Sequence, residues 1–227
     1  VQDIDAIGNR ILGHAAQPVT ALPHAAVATV LVINFDAARM IDHIRDLVPP
    51  GSAIESLDSI RLNDAMLTNP GHYLDPLNFA TNFAFFRDGD GHHTRIVTAN
   101  YWAGYGATDA RIWCLLMGDN GAHLAEWWET PPKGAVTIDS QAIRERFSIG
   151  PFTGQLFLHV VNAAGHDVVK YALDTYGDDE TILSCTHDAN AWPADFYAGL
   201  PAPNADETVI LWVQNSHPCP IPAGAIG

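Results

Sequence analysis

Residues 78–102, NFATNFAFFRDGDGHHTRIVTANYW, carry the pattern that decides the fold. Two β-rich runs, 78–87 and 92–102, flank Asp88-Gly89-Asp90-Gly91, and the glycines there supply the positive φ that a tight reversal needs. Working outward, 110–117 and 122–128 flank Gly118-Asp119-Asn120-Gly121, a second reversal of the same kind. Residues 153–162 and 166–176 flank Ala163-Ala164-Gly165, which reads as a third hairpin. Hairpins in series, with polar turns between β-branched and aromatic runs, predict an antiparallel β-sandwich.

Between the second and third hairpins, 135–138 reads as one more strand, followed by a short helical turn at 141–147 capped by Asp139 or Ser140. Upstream the pattern changes. Residues 25–35 form an apolar, β-branched run expected to be a buried strand, and Asp36 then offers an N-cap. Ala37, Met40, Ile41, Ile44 and Leu47 follow at helical spacing, and Pro49-Pro50-Gly51 ends the helix. Downstream, TVILWVQNSHP at 208–218 echoes TRIVTANYW at 94–102. The division that results is a mixed α/β segment at 1–77, a hairpin sandwich at 78–180, and the start of a second, incomplete β unit at 181–227. On this reading the chain is a fragment of a longer protein, or its last strand pairs with another copy as a homo-oligomer. In general architecture the hairpin pattern resembles bacterial immunoglobulin-like sandwiches, which implies a fold and no particular activity.

The charge balance narrows the partners. Eleven Lys and Arg stand against 26 Asp and Glu, a net charge of −15. Such a surface repels phosphate backbones and anionic lipid headgroups, so nucleic acid and membrane surfaces are disfavoured. Neutral or cationic partners, a protein or a small neutral ligand, fit better. No apolar run approaches the ~20 residues that a spanning helix requires. Cys114, Cys185 and Cys219 are too few for a disulfide framework, which leans towards a cytoplasmic setting. A chain opening on Val1 is equally compatible with a signal peptide already removed.

Two groups of residues can carry chemistry. Cys185-Thr186-His187 places a thiol and an imidazole two residues apart, on one face if the segment is extended. His217-Pro218-Cys219 repeats the spacing in reverse. Were the segments to meet, Cys185, His187, His217 and Cys219 would make a Cys₂His₂ set suited to zinc, with Asp188 positioned to orient a ligand. A Cys185–Cys219 disulfide is the competing reading, as is a Cys–His nucleophile. The second group is aromatic: Tyr101, Trp102 and Tyr105 in one Gly-rich loop, and Trp192, Phe196 and Tyr197 in another. Flat rings in loops at the end of a sandwich suit ligands or protein hot spots, and they equally suit plugging the open end of a core.

Asp88-Gly89-Asp90-Gly91 lacks the remainder of a calcium loop, and there is no Gly-x-Ser-x-Gly elbow or His-Glu-x-x-His helix. The sequence therefore favours a non-catalytic binding or structural module without a cofactor, over a zinc protein. Elemental analysis of the purified chain separates the two. The module predicts no stoichiometric metal, and the metal reading predicts one zinc per chain.

Overall fold

Burial alternates residue by residue along the first strand of the hairpin block: Asn82, Ala84, Phe86 and Asp88 are buried, while Thr81, Phe83, Phe85 and Arg87 are only half-buried. That period of two is the mark of a strand with one face on a core. In the computed structural model the described residues are 1, 3–179, 181, 183–187, 202–207 and 212. They are mainly β, organised around one large antiparallel sheet. Among them no helix is long and apolar enough to cross a membrane.

In chain order, β1 (Arg10–Ile11) and β2 (His14–Ala15) form a minimal hairpin. Strand β3 (Thr29–Val32), helix α1 (Ala38–Ile44) and strand β4 (Ala53–Ser56) follow, with β3 and β4 parallel. The large sheet contains β5 (Thr81–Gly89), β6 (His92–Ala99), β7 (Arg111–Gly118), β8 (His123–Glu129), β9 (Ala135–Asp139), β10 (Phe152–Val161), β11 (Ala172–Gly177) and β12 (Leu183–His187). Helix α2 (Ser140–Phe147) joins β9 to β10. The strand order is β12-β11-β6-β5-β10-β7-β8, with β9 on the other side of β6.

The first two expected hairpins form. Asp90 (φ 53°) and Gly91 (φ 68°) make the two-residue turn between β5 and β6, the pair of positive φ values that matches strand twist. Yet β5 and β6 pair only at Asp88–His93 and Gly89–His92. Beyond the turn they part: β5 pairs along its length with β10, and β6 pairs with β9 and β11. Strands β7 and β8 stay paired throughout, with a bulge at Leu116/Met117.

The third expected hairpin is not one. Both edges of β10 are occupied, by β5 and by β7, so β11 has no hydrogen-bonding edge left to join. The chain instead crosses over and β11 pairs with β6 and β12. Strand β12, which the sequence reading placed in a new unit, belongs to this same sheet.

The start of α1 also differs from expectation. Asp36 sits at positive φ, and its carboxylate accepts from the Tyr73 backbone N–H (2.8 Å) and Arg61 (3.3 Å). Asp58 does the capping instead, accepting the N–H groups of Asp36 (2.8 Å) and Ala37 (2.9 Å). Those bonds settle orphan donors of the kind that any helix start leaves. The run expected as a buried strand is short, and Leu31 and Ile33 within it are exposed.

The core of the large sheet joins Phe86, Ile96, Ile112, Leu116, Trp127, Ile138, Leu156, Leu158 and Tyr171 in one cluster. Gly154 of β10 lies opposite Gly118 of β7, and a Cβ on Gly154 would run into the Met117 carbonyl oxygen. Gly154→Ala is therefore expected to destabilise the protein by about 1–3 kcal/mol, the usual cost of overpacking, measured by urea unfolding.

Candidate functional site

The alternation that buries Phe86 buries Asp88 as well, and the two-residue turn brings His93 directly across from it. Both side chains are buried at the apex where β5 and β6 diverge. A carboxylate with no solvent contact must be matched from within, and Asp88 is. Its Oδ1 accepts from Arg144 Nη1 at 2.6 Å, and its Oδ2 accepts from Ser140 Oγ at 3.1 Å and from His93 Nδ1 at 3.0 Å. Ser140 Oγ in turn accepts the Thr94 backbone N–H at 3.0 Å. One acidic side chain thereby ties β5, β6 and α2 together.

His93 is held from its other side too. Its Nε2 lies 2.8 Å from Asp178 Oδ1, just past β11, and 3.1 Å from the Gln141 side-chain nitrogen on α2. The Tyr176 ring packs 5.2 Å from the imidazole, and its hydroxyl donates to Asp139 Oδ2 at 2.7 Å. Burial works against charge on Asp88, but the bonds from Arg144, His93 and Ser140 outweigh it and hold the carboxyl below its ordinary range. Burial likewise works against the imidazolium, and the bonds to Asp178 and Asp88 outweigh it, raising the His93 pKa. Burial followed by the Asp139 bond pushes the Tyr176 hydroxyl well above its usual range. Both Asp88 oxygens and both His93 ring nitrogens have partners within the network. Ser140 is fully buried and bonded to Asp88 and Thr94, so it is not placed as a nucleophile activated by His93.

A second feature lies on the opposite side of the same strands. The alternate positions of β5, β10, β7 and β8 carry Phe83, Phe85, Phe157, Trp113, Leu115 and Trp128. Their registers line them up: Phe83 opposite Phe157, Phe157 opposite Leu115, and Trp113 opposite Trp128. Ring centroids are 4.6 Å apart for Phe83–Phe157 and 5.8 Å for Trp113–Phe157. The orientation of the two tryptophans is fixed by neighbours on the same face. Trp113 Nε1 donates to Glu126 at 2.9 Å, and the Arg111 guanidinium lies 4.8 Å over the Trp128 ring. The Trp212 ring meets Phe85 edge-on at 5.3 Å. The outer side of an antiparallel sheet is ordinarily polar, and here the rings stand among Arg87, Gln155, Arg111 and Glu126 on the same face.

The loop aromatics singled out from sequence serve the end of the core. Trp102 is fully buried, with its indole N–H donating to the His166 carbonyl at 3.2 Å. The Tyr101 hydroxyl donates to the Val168 carbonyl and accepts the Lys170 N–H at 3.0 Å. Tyr105 is exposed, its ring covering Gly165 and its hydroxyl 3.2 Å from His166 Nε2. Trp192, Phe196 and Tyr197 lie outside the described residues.

Of the proposed metal set, Cys185 and His187 fall on β12, while His217 and Cys219, with Asp188, lie outside the described residues. Cys185 is exposed and opposite Asp174, whose carboxylate holds the thiol above its ordinary range. That shift disfavours the thiolate that a nucleophile needs. Among the described residues no three His, Cys, Asp or Glu side chains are grouped to hold a metal ion. His159, expected as a satisfied sheet histidine, is buried and bonded to the Met66 carbonyl at 2.7 Å.

The Asp88–His93 pair was not singled out from sequence, although its signal is there. A two-residue turn at Asp90-Gly91 makes 88 and 93 partners, and alternation from Ala84 and Phe86 turns Asp88 inward beside His93. Arg144 and Asp178, 56 and 85 residues from their partners, have no such signal. No protein-family model, curated protein or solved structure matches the chain.

Asp88→Ala leaves Arg144 and His93 without their shared counter-charge, and is expected to cost about 3 kcal/mol in urea unfolding. Because the folded-state pKa is lowered, the stability Asp88 contributes is present above the ordinary carboxylate value, ~3.9. It is lost as pH falls through the lowered value, so the difference between wild type and variant is expected to shrink on acidification.

Proposed function

We propose that the chain is a non-catalytic binding module, a two-layer antiparallel sandwich that holds a polypeptide partner on its outer aromatic face. The layers would be β8-β7-β10-β5 and β9-β6-β11-β12, immunoglobulin-like only in general architecture. The split pairing of β5 and β6 beyond their turn supports that division, as does a core that draws on strands of both layers.

The observation that carries the functional reading is the strip of Trp128, Trp113, Phe157 and Phe83, running diagonally across four strands on the side away from the core. Large aromatic rings, already fixed in orientation, lose little freedom on association and dominate interface energetics. The indole N–H of Trp113 is occupied by Glu126, so the strip offers apolar surface rather than unsatisfied donors. A polypeptide is favoured over a small neutral ligand because what meets this face, at Phe85, is itself a protein side chain, Trp212. The chain's net charge of −15 favours association with a partner carrying basic residues. The non-catalytic reading is supported by the Asp88 carboxylate, both of whose oxygens are committed to Arg144, Ser140 and His93.

The test is an NMR titration following the indole N–H resonances of Trp113 and Trp128, with two probes: basic hexapeptides carrying a central aromatic residue, and a neutral oligosaccharide, cellohexaose. Peptides are expected to shift both resonances. Trp128→Ser is expected to weaken peptide binding about tenfold, the effect of removing roughly 1.4 kcal/mol from an interface anchor, while the thermal midpoint stays close to wild type. A response to the sugar alone would replace the polypeptide with a carbohydrate. Silence towards both would remove the face as a binding site.

A further inference from the structure

His93 is bonded at both ring nitrogens, and its two sides differ in kind. Towards the core, Nδ1 faces Asp88, which is fully buried and kept ionised by Arg144 and Ser140. That side is the same whether the ring is charged or neutral, because Nδ1–H donates in both states. Towards the surface, Nε2 faces two groups of opposite preference. Asp178 is an acceptor, mostly exposed, at 2.8 Å. Gln141 offers an amide nitrogen, a donor, at 3.1 Å. A protonated Nε2 can donate only to Asp178, and a deprotonated one can accept only from Gln141.

We propose that His93 is a pH-operated clasp, tying the end of β11 to the β5–β6 turn through Asp178 when protonated and turning its Nε2 to Gln141 when neutral. The Nε2 proton passes to solvent on deprotonation, and the lone pair it leaves repels the Asp178 carboxylate. At Asp178 itself what remains is one backbone bond, its N–H donating to the Gly91 carbonyl at 3.1 Å, just beyond the last ladder pair, Gly177–His92. The stretch so biased begins at Asp178, past the end of the β11–β6 ladder, and leads to β12 (Leu183–His187), which pairs with β11 alone among the described residues.

The charged groups around the ring are committed elsewhere, element by element. From β5 the facing charge is Asp88, while Arg87 points to the other side and pairs with Asp90. From β6, His92 is bonded to the Asp90 carbonyl and Arg95 to Asp174. From α2 come Gln141 and Arg144, with Glu145 in the same shallow cleft. From β9 and β11, Asp139 and Tyr176 are bonded to one another. Asp178 is the carboxylate within reach of Nε2. The sign follows from the raised pKa: the stabilisation from the clasp is complete below the ordinary histidine value, ~6.5, and is lost as pH rises through the raised one.

The experiment combines NMR titration of the His93 ring protons with hydrogen exchange at the Asp178 amide, in wild type and two variants at exposed positions. Asp178→Asn removes the acceptor for the charged form and is expected to lower the His93 midpoint. Gln141→Leu removes the donor for the neutral form and is expected to raise it. In wild type, exchange at the Asp178 amide, corrected for its intrinsic pH dependence, is expected to rise several-fold above the midpoint. The same backbone amide in the Asp178→Asn variant is expected to lose that step. A His93 held only as a structural group would show the midpoint shifts without the step in exchange at the Asp178 amide. Failure of either variant to move the midpoint in its stated direction, or exchange without a step at the wild-type midpoint, overturns the clasp.

Discussion

The Asp88 carboxylate is buried at the one place where β5 and β6 stop being neighbours, and the arrangement around it follows from that position. A charge cut off from water must be met by several donors or it neutralises. Those donors come from across the turn and from a distant helix: His93 on β6, Ser140 and Arg144 on α2. Because α2 supplies two of them, its place is fixed over the divergence of β5 and β6, and with it the crossing from β9 to β10. Removing the charge would relieve a desolvation penalty, but it would also strip Arg144 and the Nδ1 side of His93 of their shared partner. The apex is thus specified by electrostatic matching, where the rest of the sheet is specified by apolar alternation.

That distinction explains what was legible in the sequence. Turns were legible because their requirement is local: Asp90-Gly91 needs positive φ at two successive residues, and few sequences permit it. The strand and capped helix at 135–147 were legible for the same reason, with Asp139 accepting the Gln141 N–H as its spacing implies. Which strand pairs with which was not local. Residues 153–176 carry the pattern of a hairpin, yet β10 already has β5 and β7 on its two edges, and edge occupancy leaves no trace in the pattern of either strand. Asp36 shows the same limit at a helix start. It is a good capping residue by type, but Tyr73 and Arg61 claim its carboxylate, and Asp58 does the capping from the far side of β4.

The candidate site was legible in part and for similar reasons. Trp102 and Tyr101 stood out as a cluster, but their polar atoms are spent on the 166–170 backbone, which could not be known before that segment was placed. The aromatic strip went unread because its members are scattered over four strands and none is unusual alone. Phe83 and Phe157 in isolation read as ordinary alternate positions of a strand. Only the register makes them neighbours of each other and of Trp113.

Strand β5 carries both features, on opposite faces. Phe83 and Phe85 belong to the outer strip, and Ala84, Phe86 and Asp88 to the buried side. Because side chains alternate strictly, a shift of β5 by one residue would exchange the two sets, driving Asp88 to the surface and Phe85 into the core. The buried charge therefore does more than fill a polar niche. Its donors reward a single register, and that same register sets Phe83 against Phe157 on the outer face. The aromatic strip owes its continuity to a network it never touches.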